Sequence, residues 1–325
     1  MEKPSFIIPE VRLNSTAGAR VMPVIGLGTA ADPLDQITVK AAVIEGLRLG
    51  YRHFDTASKY GSEVPLGEAI DEALGLGIVR SREELFVTSK LWCSDSHADR
   101  VVPALKESLR KLGLEYLDLY LVHWPISCKP GTYVYPVDEE DLMPMDFESV
   151  WGAMEECQRL GLTKSIGVSN CSSKKLETIL SFATILPSVN QVEMNPVWQQ
   201  RKLREFCKAK GITVTAFSPL GAIGKDWGTN LVMENETLRE IAEARGKSVA
   251  QVCLRWIYQQ GATAVVKSFN KGRMRENLGI FDWELSEDEL ERIGRIPQKR
   301  MLLKEKFISP KGPYKSLHEL WDGEL

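Results

Sequence analysis

The chain has 325 residues, 43% hydrophobic and 26% charged, which is the composition of an ordinary globular protein rather than a disordered or fibrous one. Its 41 basic and 44 acidic side chains leave a formal net charge of −3, so charge gives no case for a nucleic-acid partner or an anionic membrane. The length allows two domains or one α/β barrel with insertions, and no apolar run approaches the roughly 20 residues of a membrane span.

The start, Met1-Glu2-Lys3-Pro4, leads into no signal-like apolar core. The ending Trp321-Asp322-Gly323-Glu324-Leu325 matches no common retention or peroxisomal signal. Cys93, Cys128, Cys157, Cys171, Cys207 and Cys253 form no C-x-x-C pair, and with four histidines there is no metal-ligand cluster. Scattered thiols suit a reducing compartment, so a cytoplasmic, metal-free protein is expected. The N-x-S/T matches at Asn14, Asn170 and Asn235 are read as chance.

The repeating unit is a strand followed by a helix. Val11–Leu13 and Arg20–Met22 flank a turn around Ala17-Gly18 and read as a hairpin. Strands follow at Val24–Gly28, Arg52–Asp55, Leu85–Lys90, Leu117–His123, Ser165–Ser169, Val189–Glu193, Thr213–Phe217 and Ala264–Lys267. Between them the pattern predicts helices at Ile37–Leu49, Val64–Leu76, Ala98–Leu112, Phe147–Leu160, Lys174–Phe182, Arg201–Ala209, Glu236–Arg245 and Val249–Gln259, with one more at Arg273–Phe281. The third keeps Val101, Leu105, Leu109 and Leu112 at helical spacing. Long irregular segments run from Pro125 to Met145 and from Pro219 to Asn235, and loops of that length are usually functional. The tail from Pro297 is expected to pack over one end.

Eight such alternations with no break in composition predict one closed α/β barrel, the (β/α)8 TIM type, over residues 1–325. Residues 1–23 form a hairpin cap and 297–325 a C-terminal tail in this reading. A doubly wound open sheet is the alternative. Nothing in the chain demands an oligomer, and a monomer is expected.

Three successive strands stop on an ionisable residue: Asp55, Lys90 and His123, with Tyr60 close behind the first. Taken singly, Asp55 and Lys90 read as a structural ion pair, His123 as a satisfied core histidine and Tyr60 as a surface phenol. Together they fall on the rim where barrels of this type carry their chemistry. A free tyrosine has a pKa of about 10, and a nearby ammonium favours its phenolate. A carboxylate would hold the ammonium, and a neutral imidazole would orient a carbonyl oxygen. This makes a proton-donating oxyanion site that calls for a hydride donor opposite.

The remaining motifs concern that donor. Gly26-Leu27-Gly28-Thr29-Ala30-Ala31, with Glu45 further on, matches the nominal dinucleotide fingerprint, but Asp32-Pro33 opens no helix at the last small residue. Ser169, Asn170 and Gln191 at the ends of strands five and six suit a carboxamide, or simply turn capping. Phe217 suits stacking on a ring, or ordinary burial. Lys267, Ser268 and Arg273 after strand eight suit a phosphate at a helix N-terminus, or a solvated basic surface.

These residues resemble the aldo-keto reductase superfamily. The match includes GYRHFDTASKYGSE, LFVTSKLW, LDLYLVHWP, SIGVSN, QVEMNP and VVKSFNKGRMREN in order, over nearly the whole chain. The resemblance implies NADPH bound in extended form without a Rossmann domain. It implies Tyr60 as general acid, tuned by Lys90 and Asp55, with His123 orienting the carbonyl and Trp124 lining the substrate pocket. It implies Ser169, Asn170 and Gln191 on the nicotinamide carboxamide and Phe217 on its ring. Gly28, Thr29, Ser218, Leu220 and Lys267 would approach the cofactor, Lys267, Ser268 and Arg273 its 2′-phosphate, and Glu276 and Asn277 its adenine. Many relatives have Trp where this chain has Ala30, which widens the pocket, and Tyr where it has Phe217.

DLMPMD, WGAMEECQRLGL, LGAIGKDWGTN and KSVAQVCLRWIYQQGA resemble the plant branch that holds codeinone, methylecgonone, chalcone and galacturonate reductases. That likeness implies a bulky ring ketone of alkaloid type, in a pocket of Ala30, Trp92, Trp124 and Trp227 with Trp198 and Met143 near the loops. A sugar-acid aldehyde is the alternative and would want basic loop residues, of which Lys129 is the nearest. A cofactor-binding regulatory or structural protein is the reading of another class, disfavoured by the presence of all four catalytic residue types.

Overall fold

The computed structural model of the protein describes residues 7–14, 21–131, 135–224 and 228–325. Eight of its strands are parallel: β3 (Ile25–Gly28), β4 (His53–Asp55), β5 (Phe86–Leu91), β6 (Leu117–Val122), β9 (Thr163–Ser169), β10 (Val189–Glu193), β11 (Thr213–Phe217) and β12 (Thr263–Val266). They close a barrel in the order β10-β11-β12-β3-β4-β5-β6-β9. Helices follow as α1 (Gln36–Leu49), α2 (Glu63–Gly75), α3 (Val101–Leu112), α4 (Phe147–Arg159), α5 (Ser173–Leu180) and α6 (Arg201–Ala209). The remainder are α7 (Glu236–Arg245), α8 (Val249–Gln259), α9 (Lys271–Leu278), α10 (Glu287–Gly294) and α11 (Leu317–Trp321).

Local signals set these boundaries. Asp35 caps α1 by accepting from the Ile37 N–H, and Gly50 ends it at φ 105°, a conformation that costs glycine little. Ser248 and Gln251 form a reciprocal capping box on α8. Strands such as β5 and β6 are buried along their whole length, because side chains point alternately into the barrel and into the helical ring. Val39, Leu47, Phe54, Leu66, Val87 and Leu105 belong to the single large core between those layers. Gly67 lets α2 close on the end of α3, since a Cβ there would lie 2.3 Å from the Leu112 carbonyl oxygen.

The two ends of the barrel are covered differently. At one, β1 (Glu10–Arg12) pairs antiparallel with β2 (Val21–Pro23), and Leu13 and Met22 pack on Phe86, Leu119, Leu121 and Val189. The turn expected at Ala17-Gly18 lies outside the described residues. At the other, the tail packs on the loops. Trp124, Ile126, Cys128 and Leu142 meet Leu302, Phe307, Leu320 and Trp321 in a separate apolar cluster. Polar ties hold that tail: Lys175 Nζ lies 2.5 Å from Asp322, and buried Glu193 accepts from the Met301 and Leu302 N–H groups. Arg300 lies 3.7 Å from the centre of the Trp321 ring.

Several details differ from the sequence expectations, among them the helix α11 in the tail and the run of β5 one residue past Lys90. The segment from Pro125 to Met145 contains a small antiparallel pair, β7 (Ser127–Cys128) with β8 (Leu142–Met143), too short for a period to show. An unexpected helix, α10, begins at a capping box between Ser286 and Glu289. β12 ends at Val266, so Lys267 stands on the loop beyond it. The fingerprint-like Gly26–Ala31 opens no helix: α1 starts at Gln36, and Glu45 pairs with Lys271 at 2.8 Å.

Candidate active site

The sheet register builds the site. Asp55 is the last residue of β4 and pairs with Thr88 of β5. Lys90 lies two residues further along β5, on the same face of the pleat and nearer the rim. His123 follows β6 directly, and its N–H donates to the Leu91 carbonyl. Tyr60 arrives on a single 3-10 turn, Ser58–Tyr60, ended by Gly61 at φ 71°.

All four side chains meet. Lys90 Nζ donates to Asp55 Oδ1 at 2.6 Å and to the Thr56 carbonyl at 2.9 Å, and lies 4.8 Å from the centre of the Tyr60 ring. The Tyr60 hydroxyl is 3.5 Å from His123 Nε2. The other Asp55 oxygen accepts from Gln191 Nε2 at 2.9 Å. Buried Ser62 links the hydroxyls of Thr29 and Thr56 behind the carboxylate.

Burial and charge then set protonation. Burial pulls the Lys90 ammonium down, but Asp55 and Tyr60 outweigh it, and the net direction is up. Burial, then the charges of Lys90 and Lys304, hold His123 well below its ordinary value of 6.5, so the ring is neutral. The expectation that Lys90 leaves Tyr60 below 10 does not hold for this chain. Burial pushes the phenol up, Lys90 pulls it down, Asp55 pushes it up again, and the result is above 10. The phenol therefore keeps its proton at neutral pH, as a donor must.

Beside this cluster, Ser169 Oγ donates to the Gln191 carbonyl at 2.7 Å, and Asn170 Nδ2 donates to the His123 carbonyl at 3.0 Å. Asn170 holds φ 60° and Ser218, just past β11, φ 49°, both in the left-handed region. Half-buried Phe217 packs with the tail cluster, and Leu220 is half-buried beyond Ser218. The nearest atoms to a Cβ on Gly28 would be those of Lys267, at 3.6 Å, an ordinary contact distance. Exposed Lys267 and Arg273 flank the N-terminus of α9, which Asn270 caps. Two cations and a helix N-terminus match the charge of phosphate groups. Further along α9, Glu276 accepts from Ser248, and Asn277 is buried.

Aromatic side chains wall the other side. Trp92 stands edge-on to His123 at 5.4 Å between centroids, and Trp124 stacks beside it at 6.3 Å. Tyr135 meets Trp92 and Phe307 at 6.2 and 6.3 Å. Ala30 is half-buried on the rim after buried Thr29. Trp227 lies outside the described residues. Trp198 is buried beneath Arg300, and Met143 is exposed on β8. Lys129 is 71% exposed and 3.9 Å from Asp141.

The aldo/keto reductase family profile matches residues 24–297, the whole barrel. The chain belongs to the aldo/keto reductase family. It is 62% identical over 318 residues to the 7-acetyl-epi-neemfruitin B aldo-keto reductase of Melia azedarach, covering 98% of each chain. It is 61% identical over 304 residues to deoxymugineic acid synthase 1-D of Triticum aestivum, covering 94% of this chain and 97% of that one. Among solved structures it is similar to a Bombyx mori aldo-keto reductase in complex with NADP, with 36% identity, a TM-score of 0.82 and coverage of 93% and 97%. These relatives place the chain in the plant branch of this reductase family, as its sequence strings suggested.

Sequence reading missed several residues of the pocket. Lys304 Nζ lies 2.9 Å from the Tyr135 hydroxyl and 5.0 Å from the Trp124 ring centre. Lys59 Nζ lies 5.5 Å from the Trp92 ring centre. The Lys59 signal was adjacency to Tyr60; Lys304 and Phe307 carried none, since the tail has no hydrophobic period.

Proposed function

We propose that this aldo/keto reductase reduces a ketone or aldehyde to an alcohol with NADPH, and that Tyr60, Lys90, Asp55 and His123 are its catalytic residues. Bound NADPH supplies the hydride. Tyr60 gives its phenolic proton to the carbonyl oxygen, and the phenolate left behind is stabilised by the charge of the Lys90 ammonium beside it. Asp55 fixes that ammonium through one oxygen and the Gln191 amide through the other. Neutral His123, with its proton on Nε2, presents a donor beside the phenol and orients the carbonyl oxygen.

The donor set supports the cofactor. Ser169, Asn170 and Gln191 gather amide and hydroxyl groups where a carboxamide would lie, and Phe217, Ser218 and Leu220 continue along the rim. Lys267 and Arg273 supply the charge for a 2′-phosphate and Ser268 a hydroxyl, which favours NADPH over NADH. Glu276 already has a protein partner in Ser248, so its adenine contact has less support.

Half-buried Ala30 and the aromatic walls favour a large substrate, such as a ring ketone of plant specialised metabolism. Two relatives are named for bulky compounds, 7-acetyl-epi-neemfruitin B and (1S)-1,7-diacetoxy-luvungin A. A second reading, a carbonyl compound carrying an acid group, is favoured by Lys59 and Lys304 against the aromatic walls. The same two cations disfavour a protonated alkaloid. A single-domain monomer in the cytoplasm completes the reading, its reducing compartment supported by six buried free thiols among the described residues.

The single observation that carries this reading is the contact of Lys90 with both Asp55 and Tyr60. The experiment is NADPH oxidation against ring ketones, carbonyl acids and simple aldehydes. Turnover of at least one class supports the enzyme. Tight NADPH binding with no turnover on any class would mark a cofactor-binding regulatory protein instead.

A further inference from the structure

The C-terminal tail completes a helix of the barrel. α5 carries no acidic residue in its first turn, where unpaired backbone N–H groups favour one. The tail supplies two. Asp322 Oδ2 accepts from Ser172 Oγ at 2.5 Å and from Lys175 Nζ at 2.5 Å, and Glu324 Oε1 accepts from the Ser173 N–H at 2.9 Å. Ser172 is itself the cap of α5, its hydroxyl oxygen accepting from the Lys175 N–H at 3.2 Å. The Lys175 ammonium also donates to the Leu320 carbonyl at 2.8 Å, and its side chain is only 8% exposed. A cation so buried needs its carboxylate, which sets this contact apart from a loose surface pair.

Both ends of this clamp reach the pocket. On the tail, Arg300 donates to the Glu324 carbonyl from Nε at 3.2 Å and from Nη2 at 3.0 Å, and lies against the Trp321 ring. Trp321 in turn meets Trp124 at 6.1 Å between centroids. On the barrel, Ser172 stands two residues past Asn170 and three past Ser169. Between them, Cys171 exchanges two hydrogen bonds with the Asn190 side chain, at 2.9 and 3.4 Å. The Asn170 N–H donates to the Gln191 carbonyl at 2.9 Å. Asn170 keeps a left-handed conformation, which a non-glycine residue holds only when its surroundings fix it. β10 fixes this segment from one side and the tail from the other.

We propose that Asp322 and Glu324 are positioning residues for the cofactor: by completing the N-terminus of α5 they hold Ser169 and Asn170 in place for the nicotinamide carboxamide. This rests on the nicotinamide placement proposed above and adds to it a contribution from the tail.

The test measures dissociation constants by calorimetry for NADPH and for 2′-phospho-ADP-ribose, which lacks the nicotinamide. Asp322→Ala is expected to weaken NADPH by about tenfold, the scale of ordering a loosened segment on binding, and to leave the nicotinamide-free ligand within about twofold. Asp322→Glu, which keeps a carboxylate for Lys175, should restore most of the loss. Glu324→Ala leaves no ammonium unmatched, so it serves if Asp322→Ala does not fold, and it should show a smaller shift of the same sense. Glu177→Ala, exposed on α5, should change neither constant.

A general loss of stability would weaken both ligands together, so the selective loss is the signature of positioning. Unchanged NADPH affinity in the folded tail variants, or equal losses for both ligands, would overturn the role of the tail. Asn170→Ala tests the placement beneath it. A selective loss of NADPH in Asn170→Ala but not in the tail variants would keep the nicotinamide placement and discard the tail's part. No selective loss in any of the three would overturn both.

Discussion

Asp55 and Lys90 meet at 2.6 Å inside the barrel, with the lysine wholly removed from solvent and the aspartate nearly so. A buried pair is costly to form and costlier to halve, because the remaining charge is left unmatched. Asp55 Oδ2 is also occupied by Gln191, so the carboxylate couples the proton-donating side of the site to the amide side.

Replacing Asp55 by Asn should therefore harm both folding and turnover. Loss of one partner of a buried pair costs roughly 3–5 kcal/mol. Urea unfolding should show a loss on that scale, with the midpoint falling and the slope unchanged. An Asp55→Asn protein of native stability would mean that water reaches Lys90.

Buried neutral histidines give a signed pH dependence of stability. Burial holds His53 at about 4 and His123 well below 6.5, while both return to about 6.5 in the unfolded chain. The unfolded state then binds more protons, so stability falls as pH drops below 6.5. The slope should be about 1.4 kcal/mol per pH unit for each histidine. Denaturant unfolding between pH 7 and 5 should lose about one proton's worth of slope in His53→Gln. A flat profile over that window would contradict the assigned neutral rings.

Reduction should show no acidic limb centred on 6.5, because His123 is already neutral there, and no basic limb until the raised Tyr60 phenol ionises above 10. For a neutral aldehyde, kcat against pH should stay level from 6.5 to 9. A bell centred near neutrality would assign the proton to another group.

Cofactor choice should follow Lys267 and Arg273. Arg273→Ala should raise the KM for NADPH by about tenfold or more, as loss of a charge-assisted contact of about 1.5–3 kcal/mol requires, with little effect on NADH. Equal losses for both cofactors would place Arg273 away from the 2′-phosphate.

Much of this site was legible because its residues lie at or beside strand ends. Asp55, Lys90 and His123 each interrupt an apolar run, and a parallel barrel sets all strand ends on one rim. Glu289 repeats a signal that was there to be read: Ser286 three residues before it announces α10. Lys304 had no such signal. Its partners Tyr135 and Trp124 lie 169 and 180 positions earlier in the chain, and only the packing of Phe307 and Trp321 on the pocket wall brings the tail there. Lys129, expected as the basic loop residue, instead sits at 71% exposure near Asp141. The direction of the Tyr60 shift was also beyond the sequence, since it depends on burial outweighing Lys90.

The central claim is that Tyr60 donates the proton. The most direct measurement is single-turnover oxidation of bound NADPH by a reducible aldehyde, in native protein and in Tyr60→Phe, with NADPH affinity measured alongside by fluorescence. The expected result is a rate lowered by about 10²–10⁴, the usual worth of a positioned general acid, with NADPH affinity unchanged. A Tyr60→Phe protein that turns over at the native rate would contradict the account and move the proton source to His123 or water.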